Sequence, residues 1–200
     1  MRTESIRTIV ESLLGKKDNY TAEELSSIDT LVVSRADYDN RLLSVDFNDL
    51  LNFKNLVSLK MDGCSIDNET MTIISKLPML NELSLFNCVI GDDIYEIFRS
   101  LNIRKLRIEN TNFDLGYLDR NYEKIVLSGV HFKRINGQCE KLDISNCAIN
   151  DLSPVIDSNV REVIVSKAQY LNNEELFNNC NKKIVVMESN GQFILKEVGF

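Results

Sequence analysis

Residues 140–150 read EKLDISNCAIN, a stretch in which Leu142, Ile144 and Ile149 stand at fixed offsets around the pair Asn146-Cys147. The phrase returns along the chain. Aligned on L-x-x-L-x-L-x-x-(N/C)-x-(L/I), it recurs as IDTLVVSRADY from Ile28, LVSLKMDGCSI from Leu56, LNELSLFNCVI from Leu80 and IRKLRIENTNF from Ile103. YEKIVLSGVHF from Tyr122, CEKLDISNCAI from Cys139, VREVIVSKAQY from Val160 and a degenerate NKKIVVMESNG from Asn181 continue it. Successive starts lie 28, 24, 23, 19, 17, 21 and 21 residues apart, so most units have the length of one short supersecondary element.

Within a unit the apolar positions, such as Leu83 and Leu85, alternate with polar ones at the period of a strand, which turns one set inward and the other outward. One unit cannot bury its own apolar side, so stacking on the neighbours makes the core. The ninth position is small throughout: Ala36, Cys64, Cys88, Thr111, Val130, Cys147, Ala168 and Ser189. A cysteine there reads as a compact buried side chain where the chain leaves the strand, not as a nucleophile or metal ligand. Cys139 and Cys180 also read as structural.

Over residues 28–191 the chain resembles the leucine-rich repeat family, on the strength of these eight units. The resemblance implies an α/β solenoid with parallel strands on a concave sheet and short helices or turns on the convex side. It also implies one domain over residues 1–200, with an N-terminal cap at 1–27, about eight repeats at 28–189 and a C-terminal cap at 190–200. Ile6, Ile9, Val10, Leu13 and Leu14 form the apolar stripe of an amphipathic capping helix, and Thr21 with Glu24 forms a capping box for a second. This opening segment is similar to those of bacterial leucine-rich repeat proteins. Asn190-Gly191 marks a two-residue hairpin that adds an antiparallel capping strand.

The segments after Asp67 and Gly91 predict helices, with Asp92 and Asp93 as caps of the second. DLGYLDRN and KRINGQ are too short for two helical turns and predict turns or a single 3₁₀ turn.

Thirty acidic against 23 basic residues leave a formal charge of -7, which argues against nucleic acid as the partner. No run of about 20 apolar residues spans a membrane, and the first residues lack the apolar core of a secretory signal. Five cysteines in no C-x-x-C pair suit a reducing compartment, so the expected location is cytoplasmic. The chain has a single histidine, His131, at a turn and without an acidic or thiol companion at a fixed repeat offset, and no phosphate-loop, nucleophile-elbow or zinc motif is present. The expectation is therefore a chain with no catalytic residues, metal or cofactor.

What remains is the concave surface. In the third and fifth positions Lys105, Arg107, Lys124 and Lys141 cluster in an acidic protein, with Lys60 on an earlier strand and Phe86 exposed beside them. These six residues predict a docking face for an acidic protein or peptide, Phe86 as anchor and the cations as steering charge. The function expected is a non-enzymatic protein–protein interaction adaptor. The alternatives are a delivered effector that recognises a host target and the substrate-recognition subunit of an enzyme complex.

Overall fold

The computed structural model describes residues 4–34, 47–113, 117–131 and 133–196. The chain divides into two compact units, Met1–Ile103 and Arg104–Phe200. Ala36 falls outside the described residues.

In the first unit, helices α1 (Glu4–Leu14) and α2 (Ala22–Ser26) precede strand β1 (Thr30–Ser34). The predicted capping box forms: Glu24 N donates to Thr21 Oγ1 at 3.2 Å and Thr21 N to the Glu24 carboxylate at 2.9 Å. α1 buries Ile6 and Val10 completely, whereas Leu13 is 54% exposed, so the apolar stripe is covered along only part of its width. Strands β2 (Ser58–Asp62) and β4 (Glu82–Phe86) continue from β1 in parallel. The register is the one the repeat alignment sets, Leu31 beside Leu59 and Leu59 beside Leu83. Those three leucines and Val33, Met61 and Leu85 point inward and are buried. Each contributes about 1.5–3 kcal/mol by leaving water.

Each of the later strands leads to a shorter one, β3 (Ser65–Ile66) and β5 (Val89–Ile90), which pair with each other. The turn between long and short strand needs a left-handed residue, and Gly63 (φ 66°) and Asn87 (φ 49°) supply it. Helix α3 (Asn68–Ser75) follows Asp67, whose carboxylate accepts from Thr70 N at 2.8 Å. Its Met71 and Ile74 are buried. After Gly91 the chain makes a 3₁₀ turn (Asp92–Ile94) and then α4 (Tyr95–Ser100). Asp92 and Asp93 lie in that first turn and Gly91 is the cap residue without a side-chain hydrogen bond, so the expected carboxylate cap is not formed.

In the second unit β6 (Lys105–Glu109), β8 (Tyr122–Ser128), β10 (Gln138–Asn146), β11 (Asn159–Ser166) and β12 (Lys183–Met187) run parallel, and β13 (Phe193–Lys196) returns antiparallel to β12. Leu106, Ile125, Leu142, Val163 and Ile184 stand in one register row and are all buried. The short segments predicted as turns instead form the paired strands β7 (Tyr117–Leu118) and β9 (Arg134–Ile135). An extended pair satisfies backbone groups with fewer residues than a helical turn needs. Next come α5 (Ser153–Ile156), α6 (Lys167–Asn172) and α7 (Glu174–Asn178), with the rings of Tyr170 and Phe177 stacked at 5.6 Å.

The small ninth position holds for Cys64, Cys88, Thr111, Val130 and Cys147, all buried, and fails at Ala168 and Ser189, both exposed. Ala168 has moved into α6, where Ser166 and Gln169 make a second capping box. Ser189 lies in the hairpin loop, which has three residues rather than two: Glu188 N donates to Gln192 O, Gly191 N to Glu188 O, and Gly191 is left-handed at φ 79°. Cys139 and Cys180 are buried as expected; Ile149 is half-buried rather than core.

Candidate functional site

On the sheet face opposite the core, the first unit places Lys60 and Phe86. Lys60 stands beside Ser84 on β4, one register step from the Asp62–Phe86 pair. Its ammonium lies 4.5 Å from the centroid of the Phe86 ring. Phe86 is therefore half-buried under a lysine, not an open aromatic anchor. Beside it Asn87 donates to the Asp62 carboxylate at 2.9 Å.

The second unit brings three of the other four residues into one row. Lys105 is the register partner of Lys124, and Lys124 of Lys141, while Arg107 sits one row on, beside Val126. Adjacent strands lie about 4.8 Å apart, so the three lysines span about 10 Å. Acidic side chains answer part of this charge. Glu123 lies 3.9 Å from Lys105 and 3.8 Å from Arg104, and Glu109 pairs with Arg107. Glu162 joins the row between Lys141 (2.7 Å) and Lys183 (2.6 Å). Burial tends to raise the Glu162 carboxyl, but the two lysines outweigh it and hold it below the ordinary carboxylate range. Lys124 is exposed.

Two side chains at outward positions of the strand alternation are nevertheless buried. Ile164, between Asp143 and Val185 in the register, is 4% exposed. Ser145 turns in where the β8–β10 register shifts, and its hydroxyl donates to Asp143 at 2.7 Å. Val185, Met187, Leu195 and Phe193 share the outward side of β12 and β13 as an apolar group, of which Leu195 and Phe193 are not evident in the sequence. The alternation of KIVVM carries the first two; FILK has no alternation to read.

Two grooves lie elsewhere. One, of about 500 Å³, runs along the starts of the strands in the second unit and is lined by Arg104, Glu123, Glu140, Arg161 and Lys182, with amide side chains between them. Lys182 is 7% exposed and its ammonium donates to Val160 O at 3.0 Å and to Ser158 O. Burial pushes its pKa below the usual lysine value. The other, about 450 Å³, lies between α1 and β1 and is walled by Ile9, Leu13, Leu14, Ile28 and Val32.

Three thiols are poorly placed for nucleophilic chemistry, and Cys88, which the hydrogen bond with Cys64 holds below its ordinary range, is buried. The hydrogen bond to Cys88 and then burial hold the Cys64 thiol above its ordinary range, burial pushes Cys139 up to about 12, and burial raises Cys147. His131 is exposed, and among the described residues no group of three His, Cys, Asp or Glu side chains could hold a metal ion. No helix among the described residues is long and apolar enough to cross a membrane.

No family model and no curated protein matches the chain. Among solved structures it is similar to the crystal structure of an internalin, InlF, from Listeria monocytogenes, at 15% identity over 90% of this chain and 74% of that one, with a TM-score of 0.37.

Proposed function

We propose that this chain is a non-enzymatic protein-interaction module of leucine-rich repeat type, working in a reducing compartment, whose partner docks on the outward sheet face through acidic side chains. The observation that carries the reading is the row Lys105, Lys124 and Lys141 on adjacent strands, with Arg107 in the next row, in a chain of net charge -7. Cations held a strand apart repel one another, and in water this costs little. They raise the encounter rate of an acidic partner and set its orientation. Phe86, in the first unit and already covered by Lys60, is not the anchor of this site.

The test is association kinetics with partners recovered on the full chain from its native cell. Reversing Lys105, Arg107 and Lys124 to glutamate should slow association about tenfold and flatten its salt dependence. Unchanged rates would remove the face from the interaction.

A further inference from the structure

On β12, Ile184 and Val186 are buried, so Lys183, Val185 and Met187 project from the opposite side. The register extends that side over the neighbouring strands. On β13, Leu195 stands beside Val185 and Phe193 beside Met187; on β11, Glu162 stands beside Lys183 and Ile164 beside Val185. The face thus carries an order along the strand. A charged row comes first, Lys124, Lys141, Glu162 and Lys183, followed by an apolar row, Val185 and Leu195 beside the buried Ile164, and then Met187 with Phe193. Phe193 is 58% and Leu195 48% exposed, although both sit in a sheet. Three lysines in the first row answer to one carboxylate in it, Glu162.

Each row is about 6.6 Å from the next along the strand, the spacing of residues i and i+2 in any extended chain. An extended ligand lying along β12 therefore meets the lysines with one side chain and the apolar rows with those two and four positions away. A nucleic acid would use the lysines but leave the apolar rows wet, and a purely aliphatic ligand would leave the charges unanswered. We propose that this face of the second unit binds an extended peptide segment in which a carboxylate lies two or four residues from large apolar side chains. The carboxylate faces Lys141 and Lys183 beside Glu162, which offsets one of their two charges, and the apolar side chains cover Val185, Met187, Leu195 and Phe193. This rests on the interaction-module reading and supplies the apolar anchor that Phe86 does not, at the β12–β13 pair.

The experiment is selection of random displayed peptides of about a dozen residues on the immobilised full chain, followed by anisotropy with the synthetic winners. Enriched sequences should carry Asp or Glu two or four positions from Phe, Leu, Ile or Met. Leu195→Asp, Phe193→Ser and Lys183→Glu should each weaken binding about tenfold. Val89→Asp, which changes an apolar side chain 59% exposed in the first unit, should leave it unchanged. Circular dichroism would confirm that each variant folds. Winners without the pattern, or equal losses with Val89→Asp, would overturn the proposal. Winners lost on Lys105→Glu and Arg107→Glu but indifferent to Leu195→Asp would overturn this site and leave the interaction reading standing. Failure to enrich any peptide would count against both. A concentration-dependent dimer abolished by Leu195→Asp would assign the face to a second copy of the chain and overturn the peptide.

Discussion

Gln169 donates its side-chain amide to the carbonyl of Ile144 at 3.0 Å and to that of Cys147 at 2.9 Å, from a position 6% exposed. The first of these bonds continues a ladder that cysteines make elsewhere. Cys147 Sγ reaches Leu127 O at 3.2 Å and Cys88 Sγ reaches Met61 O at 3.6 Å, each carbonyl at the sixth position of the preceding repeat. A cysteine at the ninth position therefore fills space and also donates to the last inward carbonyl of the strand before it. Gln169→Leu should cost about 1–3 kcal/mol, because two buried hydrogen bonds of about 0.5–1.5 kcal/mol each are lost, although Cys147 N still donates to Ile144 O and Ile149 N to Cys147 O. Gln169→Glu should cost more at neutral pH, where a carboxylate can only accept, and recover part of the loss as acid restores a donor. Chemical denaturation at two pH values measures both.

The ladder also predicts thiol behaviour. Cys64, Cys88, Cys139 and Cys147 are buried; the hydrogen bond that Cys64 donates to Cys88, and burial, hold Cys64 above the ordinary range and burial does the same for Cys139 and Cys147, while that bond lowers Cys88. A thiol reagent at neutral pH should label them only as fast as the fold opens, with the rate rising in denaturant. Labelling of Cys147 at the rate of a free thiol in the native protein would contradict its burial.

Strand register was legible in the sequence because stacked units must align their apolar positions, and Leu106, Ile125, Leu142, Val163 and Ile184 leave one alignment that buries them all. α6 was not legible, because aligning VREVIVSKAQY on the template forces Ala168 inward and hides the capping box of Ser166 and Gln169. The steering cations were legible as a column. Their compensation by Glu123 and Glu162 was not, since it depends on which long side chains reach across strands. Phe86 looked open for the same reason: Lys60 comes from the neighbouring strand.

Glu162 makes the face sensitive to acid. Its carboxyl is held below the ordinary range in the folded chain, so the stability it contributes is full above the unfolded carboxylate pKa of about 4.3 and is lost as pH falls through the lower folded value. Wild type should lose more stability than Glu162→Gln between about pH 5 and pH 3, by less than about 1 kcal/mol for each exposed lysine partner. Parallel acid titrations of the two proteins would show whether the curves converge.

Gly137 marks a tight crossing. A Cβ at this position would run into the carbonyl of Arg120, main chain that has no rotamer to escape into. Gly137→Ala should therefore destabilise the second unit by about 1–3 kcal/mol, the usual cost of overpacking, although its backbone is not left-handed. Gly191→Ala meets no atom within 4 Å but must hold φ 79°, and should cost less, about 1 kcal/mol. Urea melts of the pair would separate steric from torsional cost.

Lys182 donates to Val160 O and Ser158 O without a carboxylate within 4 Å among the described residues. A neutral amine can make both bonds as well as an ammonium can, and burial charges its penalty to the ammonium alone. Asp157 and Cys180 pull the pKa up, but desolvation outweighs them and the folded value lies below the usual one. Below the folded pKa both states are protonated and the penalty is present in full. Between the folded value and the unfolded value of about 10.4 the unfolded chain holds the extra proton, so stability rises with pH. Lys182→Met keeps the aliphatic stem and removes both donors. Its cost relative to wild type should therefore grow as pH is raised toward 10, because wild type sheds the charge while keeping its hydrogen bonds and the variant has nothing to titrate. Comparing the two in the same buffers cancels the ionisation of tyrosines and other lysines. A cost independent of pH would mean that the amine is solvated in the folded state.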